Sequence, residues 1–93
     1  MAPPTVRLEN DKVRVVEFRL APGDKTVMHT HAEPYVAYVL GSASVRISFP
    51  DGKSIDAQTK AGEVLWRPPV THAFENVGDT DLHELLVAIK ASA

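Results

Sequence analysis

Turn-forming residues interrupt this 93-residue chain so often that few folds can accommodate it. Glycine or proline, alone or in short clusters, stands at residues 22–23, 41, 50–52, 62, 68–69 and 78. The intervening pieces have about the length of a β-strand, which favours an all-β sandwich or a small barrel. The length suits one compact domain, so we expect a flexible tail at residues 1–4 and a single domain over residues 5–93.

Several of these pieces have the side-chain pattern of strands. Apolar and charged residues alternate in residues 16–20 and 45–49, which places one face inward and the other toward water. Residues 49–53 then predict a hairpin turn. Residues 35–40 are apolar on both faces, which predicts a strand covered by the core on one side and by something else, such as a partner subunit, on the other.

Near the end of the chain the local pattern favours a helix. Leu82, Leu85, Leu86 and Ile89 follow the spacing of one helical face. Residue 79 or 80 could cap such a helix, because Asp and Thr side chains accept hydrogen bonds from the first free backbone amides. Local pattern alone therefore predicts a helix over residues 81–91.

Composition excludes several classes of function. The chain has no cysteine, which rules out disulfides, thiolate-bound zinc, iron–sulfur clusters and thiol nucleophiles, and which suits a reducing compartment. Ten basic residues balance twelve acidic ones, so we expect neither nucleic acid nor an anionic membrane as a partner. The first residues lack a signal-peptide pattern and no apolar run could span a bilayer, so we expect a cytoplasmic protein.

Two histidines separated by one residue are the clearest chemical signal. His29 and His31 would point to the same face if this segment is a strand, so both rings could reach one ion. Imidazole is the commonest protein ligand for first-row divalent metals. The pair alone would also fit two ordinary surface or core histidines, so the interpretation depends on a second signal downstream.

Two sequence blocks together resemble the two motifs of the cupin family, most closely those of small, single-domain bacterial cupins. The matching residues are Gly23, His29, His31 and Gly41 in the first block and Gly62, Pro68, His72 and Asn76 in the second. The resemblance implies an antiparallel jelly-roll β-barrel of six to eight strands with little or no helix, usually dimeric. It also implies one metal ion in the barrel mouth, held by His29, His31 and His72. The last strand of such barrels often ends near a lysine, as at Lys90, so the resemblance implies a strand over residues 81–90.

The chain departs from the family pattern in two places. The family's glutamate ligand should lie four residues after the second histidine, where this chain has Tyr35. The second block is one residue short and lacks a glycine before His72. Glu33 is a candidate fourth ligand. Because Pro34 favours a turn that points the Glu33 carboxylate toward water, we expect a site of three histidines. Tyr35 is either a core residue or the candidate catalytic residue, with a hydroxyl that could hydrogen-bond a bound substrate.

The remaining candidates are judged on residue type. Trp66 and Phe74 are core aromatics or pocket-lining residues beside the metal. Arg67, Arg46 and Arg19 are expected to be surface charges on outward faces, although any one of them at the mouth could bind a carboxylate, and Arg67 is the pocket-lining candidate among them. His83 matches no motif and is expected to be structural.

Three neutral imidazoles would leave the charge of a divalent ion uncompensated and leave coordination positions open. Such a site suits a small, anionic, chelating substrate. Because the chain resembles cupins with three-histidine sites, the first hypothesis is a metal-dependent dioxygenase, with an isomerase or lyase next. A non-catalytic small-ligand-binding protein and a metal-free barrel are the alternatives. Imidazole ligands do not distinguish Fe, Ni, Zn, Mn and Cu.

Overall fold

All regular secondary structure in the computed structural model, which describes residues 4–91, is β-strand. The strands are β1 (Thr5–Glu9), β2 (Val13–Leu20), β3 (His29–His31), β4 (Tyr35–Gly41), β5 (Ala43–Ser48), β6 (Ser54–Thr59), β7 (Val64–Arg67), β8 (Val70–Asn76) and β9 (Leu82–Ile89). The predicted all-β fold is confirmed, although these nine strands exceed the six to eight that the resemblance implied. Of the predicted tail, residues 1–3 lie outside the described range.

Two antiparallel sheets form the jelly roll. The larger sheet has the order β1-β2-β9-β4-β7 and the smaller one has the order β3-β8-β5-β6. Buried side chains from both sheets meet in one core, where the rings of Phe18 and Phe74 lie edge to face with their centroids 6.4 Å apart. The strands predicted at residues 16–20, 35–40 and 45–49 lie in β2, β4 and β5, except that β5 ends at Ser48.

The last strand overturns the local helix pattern and confirms the strand that the resemblance implied. β9 hydrogen-bonds to β2 on one side and to β4 on the other, so both of its edges are paired. Leu82 and Leu86 are buried in the core, whereas Leu85 and Ile89 lie on the opposite face. The helical spacing therefore arose from two apolar faces of one strand. None of the described segments is a helix with the length and hydropathy that membrane crossing requires.

The segment between β2 and β3 is attached to β8 by backbone and side-chain bonds. The amide of Thr26 donates to the carbonyl of Phe74 at 2.8 Å, and the amide of Phe74 donates to the Thr26 hydroxyl at 2.9 Å. The amide of Gly23 donates to the carbonyl of Asn76. Gly23 has a φ of 84°, a conformation that glycine adopts without strain. This attachment brings the short strand β3 alongside β8, which positions the histidines.

Candidate metal centre

Strand pairing brings the three motif histidines together. His29 in β3 lies directly opposite His72 in β8, and His31 follows two residues later on the same face of β3. One potential ligand nitrogen from each ring lies within 4.8 Å of those of the other two. His72 is buried, and His29 and His31 are half-buried. The predicted set therefore converges on one point inside the barrel.

The backbone selects which nitrogen of His29 faces this point. Its Nδ1 lies 2.8 Å from the carbonyl oxygen of Val27. A carbonyl can only accept, so Nδ1 must carry the proton, and Nε2 keeps a lone pair that a metal ion could share. Histidine ligands in metal sites are commonly oriented by such a bond from the other ring nitrogen.

The interior also favours the neutral form of the His31 and His72 imidazoles. Burial, together with the neighbouring His29, His31 and Arg67, lowers the pKa of His72 to about 4. Burial, with His29 and Arg67, also lowers the pKa of His31. A protonated imidazole cannot bind a metal, so both shifts leave lone pairs available at neutral pH.

The donor set fits a divalent transition metal. Imidazole nitrogens bind zinc and similar ions at about 2.0–2.2 Å, so modest side-chain rotations would close the three rings around one ion. Among the described residues, the group that could hold an ion comprises these three histidines. Glu33, the candidate fourth ligand, lies outside it, and its carboxylate accepts from the Arg14 guanidinium at 2.6 Å.

A cavity of about 360 Å³ opens beside the histidines. This volume lies at the lower end of the range for small-molecule sites. Its walls are largely apolar, with Phe74, Val16 and Leu86 among them, and Phe74 also belongs to the buried core. A few polar groups therefore set the chemistry of the whole cavity.

Tyr35 joins the two polar parts of this cavity. Its side chain is buried, and its ring centroid lies 4.5 Å from that of His31. The Arg67 guanidinium carbon lies 5.7 Å from the same ring centroid. Burial raises the pKa of Tyr35, against the opposing effect of Arg67, so the hydroxyl keeps its proton and can donate a hydrogen bond.

Arg67 and Glu84 form an ion pair in the cavity wall. The Nη1 and Nη2 atoms of Arg67 lie 3.0 and 3.4 Å from the two carboxylate oxygens of Glu84. Burial acts against the charge of Arg67, but Glu84 more than offsets this effect, so the pKa of Arg67 is raised. Arg67 thus lines the cavity, and the expectation that it is a surface charge on an outward face is wrong.

Comparison with known proteins identifies the family. The β-alanine degradation protein BauB of Pseudomonas aeruginosa is 35% identical over 86 residues, which cover 91% of this chain and 86% of that protein. The crystal structure of a cupin domain from Bordetella pertussis superposes with a TM-score of 0.88 at 33% identity, covering 96% of this chain and 93% of the other. The chain belongs to the cupin family. No protein-family model matches its sequence.

A more distant cupin has the same fold. An RmlC-like cupin from Methanocaldococcus jannaschii, described as a double-stranded β-helix, superposes with a TM-score of 0.75. At 13% identity it covers 95% of this cupin and is itself covered over 79% of its length. The jelly-roll arrangement of the two sheets is therefore shared across a wide range of sequences.

One predicted pocket residue lies elsewhere in this cupin. Trp66 is 62% exposed on the outer face of β7, contrary to its prediction as a core or pocket-lining aromatic. Neighbouring residues on a strand point to opposite faces, so Trp66 and Arg67 cannot both face the interior. His83, expected to be structural, lies on an outer face beside Glu17, with Nε2 2.6 Å from its carboxylate.

Sequence reasoning missed Glu84, which is buried in this cupin. The two-residue period of a strand indicates this burial, because it places Glu84 on the same face as Leu82 and Leu86. A carboxylate on a core face requires a charged partner.

Proposed function

We propose that this cupin binds one divalent transition metal ion on His29, His31 and His72 and acts on a small, anionic, chelating organic substrate. The observation that supports the proposal is the convergence of three imidazoles in the wall of one cavity. The low pKa of His72 adds to it, because that ring offers a lone pair at any physiological pH. Dioxygenation is the first reaction we propose, with isomerisation or lyase chemistry next.

The residues around the site have separate tasks in this proposal. The three imidazoles hold the ion, and none of them neutralises its charge. The hydroxyl of Tyr35 donates a hydrogen bond to the bound substrate, and Phe74 and the apolar walls exclude water. A metal ion in such a site supplies Lewis-acid activation and, as iron(II), the capacity for dioxygen chemistry.

The name of one relative is consistent with an anionic substrate. BauB is called a β-alanine degradation protein, and β-alanine is a small molecule with a carboxylate. A cavity of about 360 Å³ accepts molecules of this order of size. We therefore propose small carboxylic acids and enolisable carbonyl compounds as the first substrates to test.

Elemental analysis followed by an oxygen-uptake assay tests the proposal. Protein purified without chelators or an affinity tag should contain close to one equivalent of a transition metal. The iron(II) form should consume dioxygen with a β-diketone, a thiol acid or an α-hydroxy ketone, and His72→Ala should abolish the uptake. Saturable binding without turnover across these compounds and several metals would favour a non-catalytic binding protein instead.

We also propose that the protein is a homodimer. The outer face of the larger sheet exposes apolar side chains on two neighbouring strands, namely Tyr38 and Leu40 on β4 and Val64 and Trp66 on β7. Contiguous apolar surface of this kind commonly marks an interface, and a two-fold axis lets one face cover its copy. We refer to these four residues as the outer apolar face.

A further inference from the structure

The cavity contains a second polar centre besides the three histidines. Besides the three imidazoles, the cavity is lined by two charged side chains among the described residues, namely those of Arg67 and Glu84. The carboxylate of Glu84 is fully buried, whereas 17% of the Arg67 side chain remains exposed. The accessible end of this ion pair is therefore its cation.

Several contacts hold the guanidinium in place before any ligand arrives. Glu84 accepts from both Nη atoms, and the Arg67 Cζ lies 5.7 Å from the ring centroid of Tyr35 and 5.5 Å from that of Phe74. A guanidinium has five N–H donors, so two bonds to one carboxylate do not exhaust it. An arginine fixed in this way loses little side-chain entropy when it binds an anion.

The same two aromatic rings connect Arg67 to the candidate metal site. The Tyr35 ring contacts His31, and the Phe74 ring lies 4.7 Å from the ring of His72, centroid to centroid. The imidazoles and the guanidinium thus line the same small cavity, and the rings of Tyr35 and Phe74 each lie near both groups. A short molecule could bind the ion at one end and reach Arg67 with the other.

We propose that Arg67, held by Glu84, is the anchor for a distal carboxylate of the metal-bound ligand. This inference rests on the proposed function, and it narrows the substrate class to short molecules with a chelating head and a carboxylate at the opposite end. Arg67 supplies planar, charge-assisted hydrogen bonds to that carboxylate. Glu84 is a positioning residue, which keeps the guanidinium facing the cavity.

Matched probes can separate the two ends of the ligand. Acetohydroxamate carries a chelating head alone, whereas the monohydroxamates of succinate and glutarate add a distal carboxylate at two chain lengths. Each is compared with its amide, which has the same shape without the charge. We expect the cobalt(II)-loaded protein to bind at least one acid about tenfold or more tightly than its amide in calorimetric titrations, the size of a charge-assisted hydrogen bond.

The variant Arg67→Met/Glu84→Leu removes the pair together, so that no buried charge is left alone. The double variant should bind cobalt(II) and acetohydroxamate as tightly as the wild type does. Its preference for acid over amide should be at least fivefold smaller than that of the wild type. Arg46→Met/Asp56→Leu removes an exposed ion pair on the smaller sheet and should keep the full preference. If the first double variant does not fold, Arg67→Lys serves in its place, with a preference reduced at least threefold because lysine lacks the planar fork.

Two results would overturn the anchor alone: equal binding of acid and amide by the wild type, or a preference that survives in the Arg67 variants. A wild-type protein that binds neither cobalt(II) nor acetohydroxamate would instead overturn the proposed function, and the anchor with it. Binding of acetohydroxamate, which carries the chelating head alone, therefore distinguishes a failure of the anchor from a failure of the proposed function.

Discussion

At the scale of single residues, each side chain around the cavity has a chemical state that its surroundings impose. The Val27 carbonyl determines which nitrogen of His29 is protonated. Burial keeps His72 neutral, and the Arg14 guanidinium engages Glu33. These are effects of neighbours that lie close in space and, for His72 and Glu33, far apart in the sequence. Two predictions concern individual side chains.

The first prediction concerns the coordination sphere. Glu33→Gln should change metal affinity by less than about threefold, because the Glu33 carboxylate lies outside the histidine group. His72→Ala should weaken binding far more than the roughly 10–100-fold that is typical of changes outside the ligand shell. Calorimetric titration with zinc(II) or cobalt(II) measures both variants. Equal losses for the two variants would mean that Glu33 is a ligand and that the three-histidine site is wrong.

The second prediction concerns the stability of the metal-free protein at low pH. The pKa of His72 falls from 6.5 to about 4 on folding, so between these values the unfolded chain binds more protons than the folded one. Stability therefore falls as the pH falls from 6.5 to 4, by about 3 kcal/mol from this residue, and His72 makes no further contribution below that range. Denaturant unfolding in the presence of a chelator measures this loss. His72→Gln should show a clearly smaller loss over the same range, and an unchanged loss would contradict the assignment.

At the scale of elements, strand pairing decides what each segment becomes. β9 contains a helix-like spacing of leucines, but it pairs along both edges, which a helix cannot do. β8 carries Phe74, His72 and Asn76 on its inner face, so one strand supplies a core residue, a candidate metal ligand and a buried structural amide. Asn76, which the sequence offered as a motif residue, has a structural role at the end of this strand.

The third prediction tests that role. The Asn76 Nδ2 donates to the carbonyls of Leu20 and Thr80 at 2.9 and 2.7 Å, and its Oδ1 accepts from the Gly78 amide at 3.0 Å. Asn76→Ala should cost about 3 kcal/mol of unfolding free energy, because it leaves the buried Leu20 carbonyl and two partly buried backbone groups without their partner. Gln58→Ala, at an exposed position on β6, should stay within about 0.5 kcal/mol. Chemical denaturation compares the two, and equal stabilities would rule out the anchoring role.

At the scale of the whole molecule, the two faces of the larger sheet have different surroundings. Its inner face contributes Tyr35, Glu84 and Leu86 to the cavity, whereas its outer face presents Tyr38, Trp66 and their neighbours. The apolar character of both faces follows from the doubly apolar strand at residues 35–40. A small barrel with such a surface gains stability when a second copy covers it.

The fourth prediction concerns that assembly. The wild type should elute with about twice the mass of the 10.1 kDa chain at micromolar concentration. Trp66→Glu should shift the equilibrium toward the monomer at least tenfold, because it places a charge within the outer apolar face. Ile55→Glu, at an exposed apolar position on the smaller sheet, should leave the mass unchanged. Light scattering coupled to size-exclusion chromatography measures these masses. A wild-type mass near that of one chain would contradict the dimer.

The sequence by itself determined the all-β class, because turn residues recur at strand-length intervals, and it paired His29 with His31 by strand spacing. The jelly roll and the grouping of His72 with that pair came from the resemblance of two motif blocks to the cupin family. The sequence could not determine which groups face each other across the barrel. The ion pair of Arg67 and Glu84, and the outward position of Trp66, follow from the register in which β4 pairs with β7 and β9. Register and burial are properties of the assembled sheets, since a shift of one residue would turn each of these side chains to the other face. The tertiary structure therefore decided the chemistry of the cavity beyond its histidines.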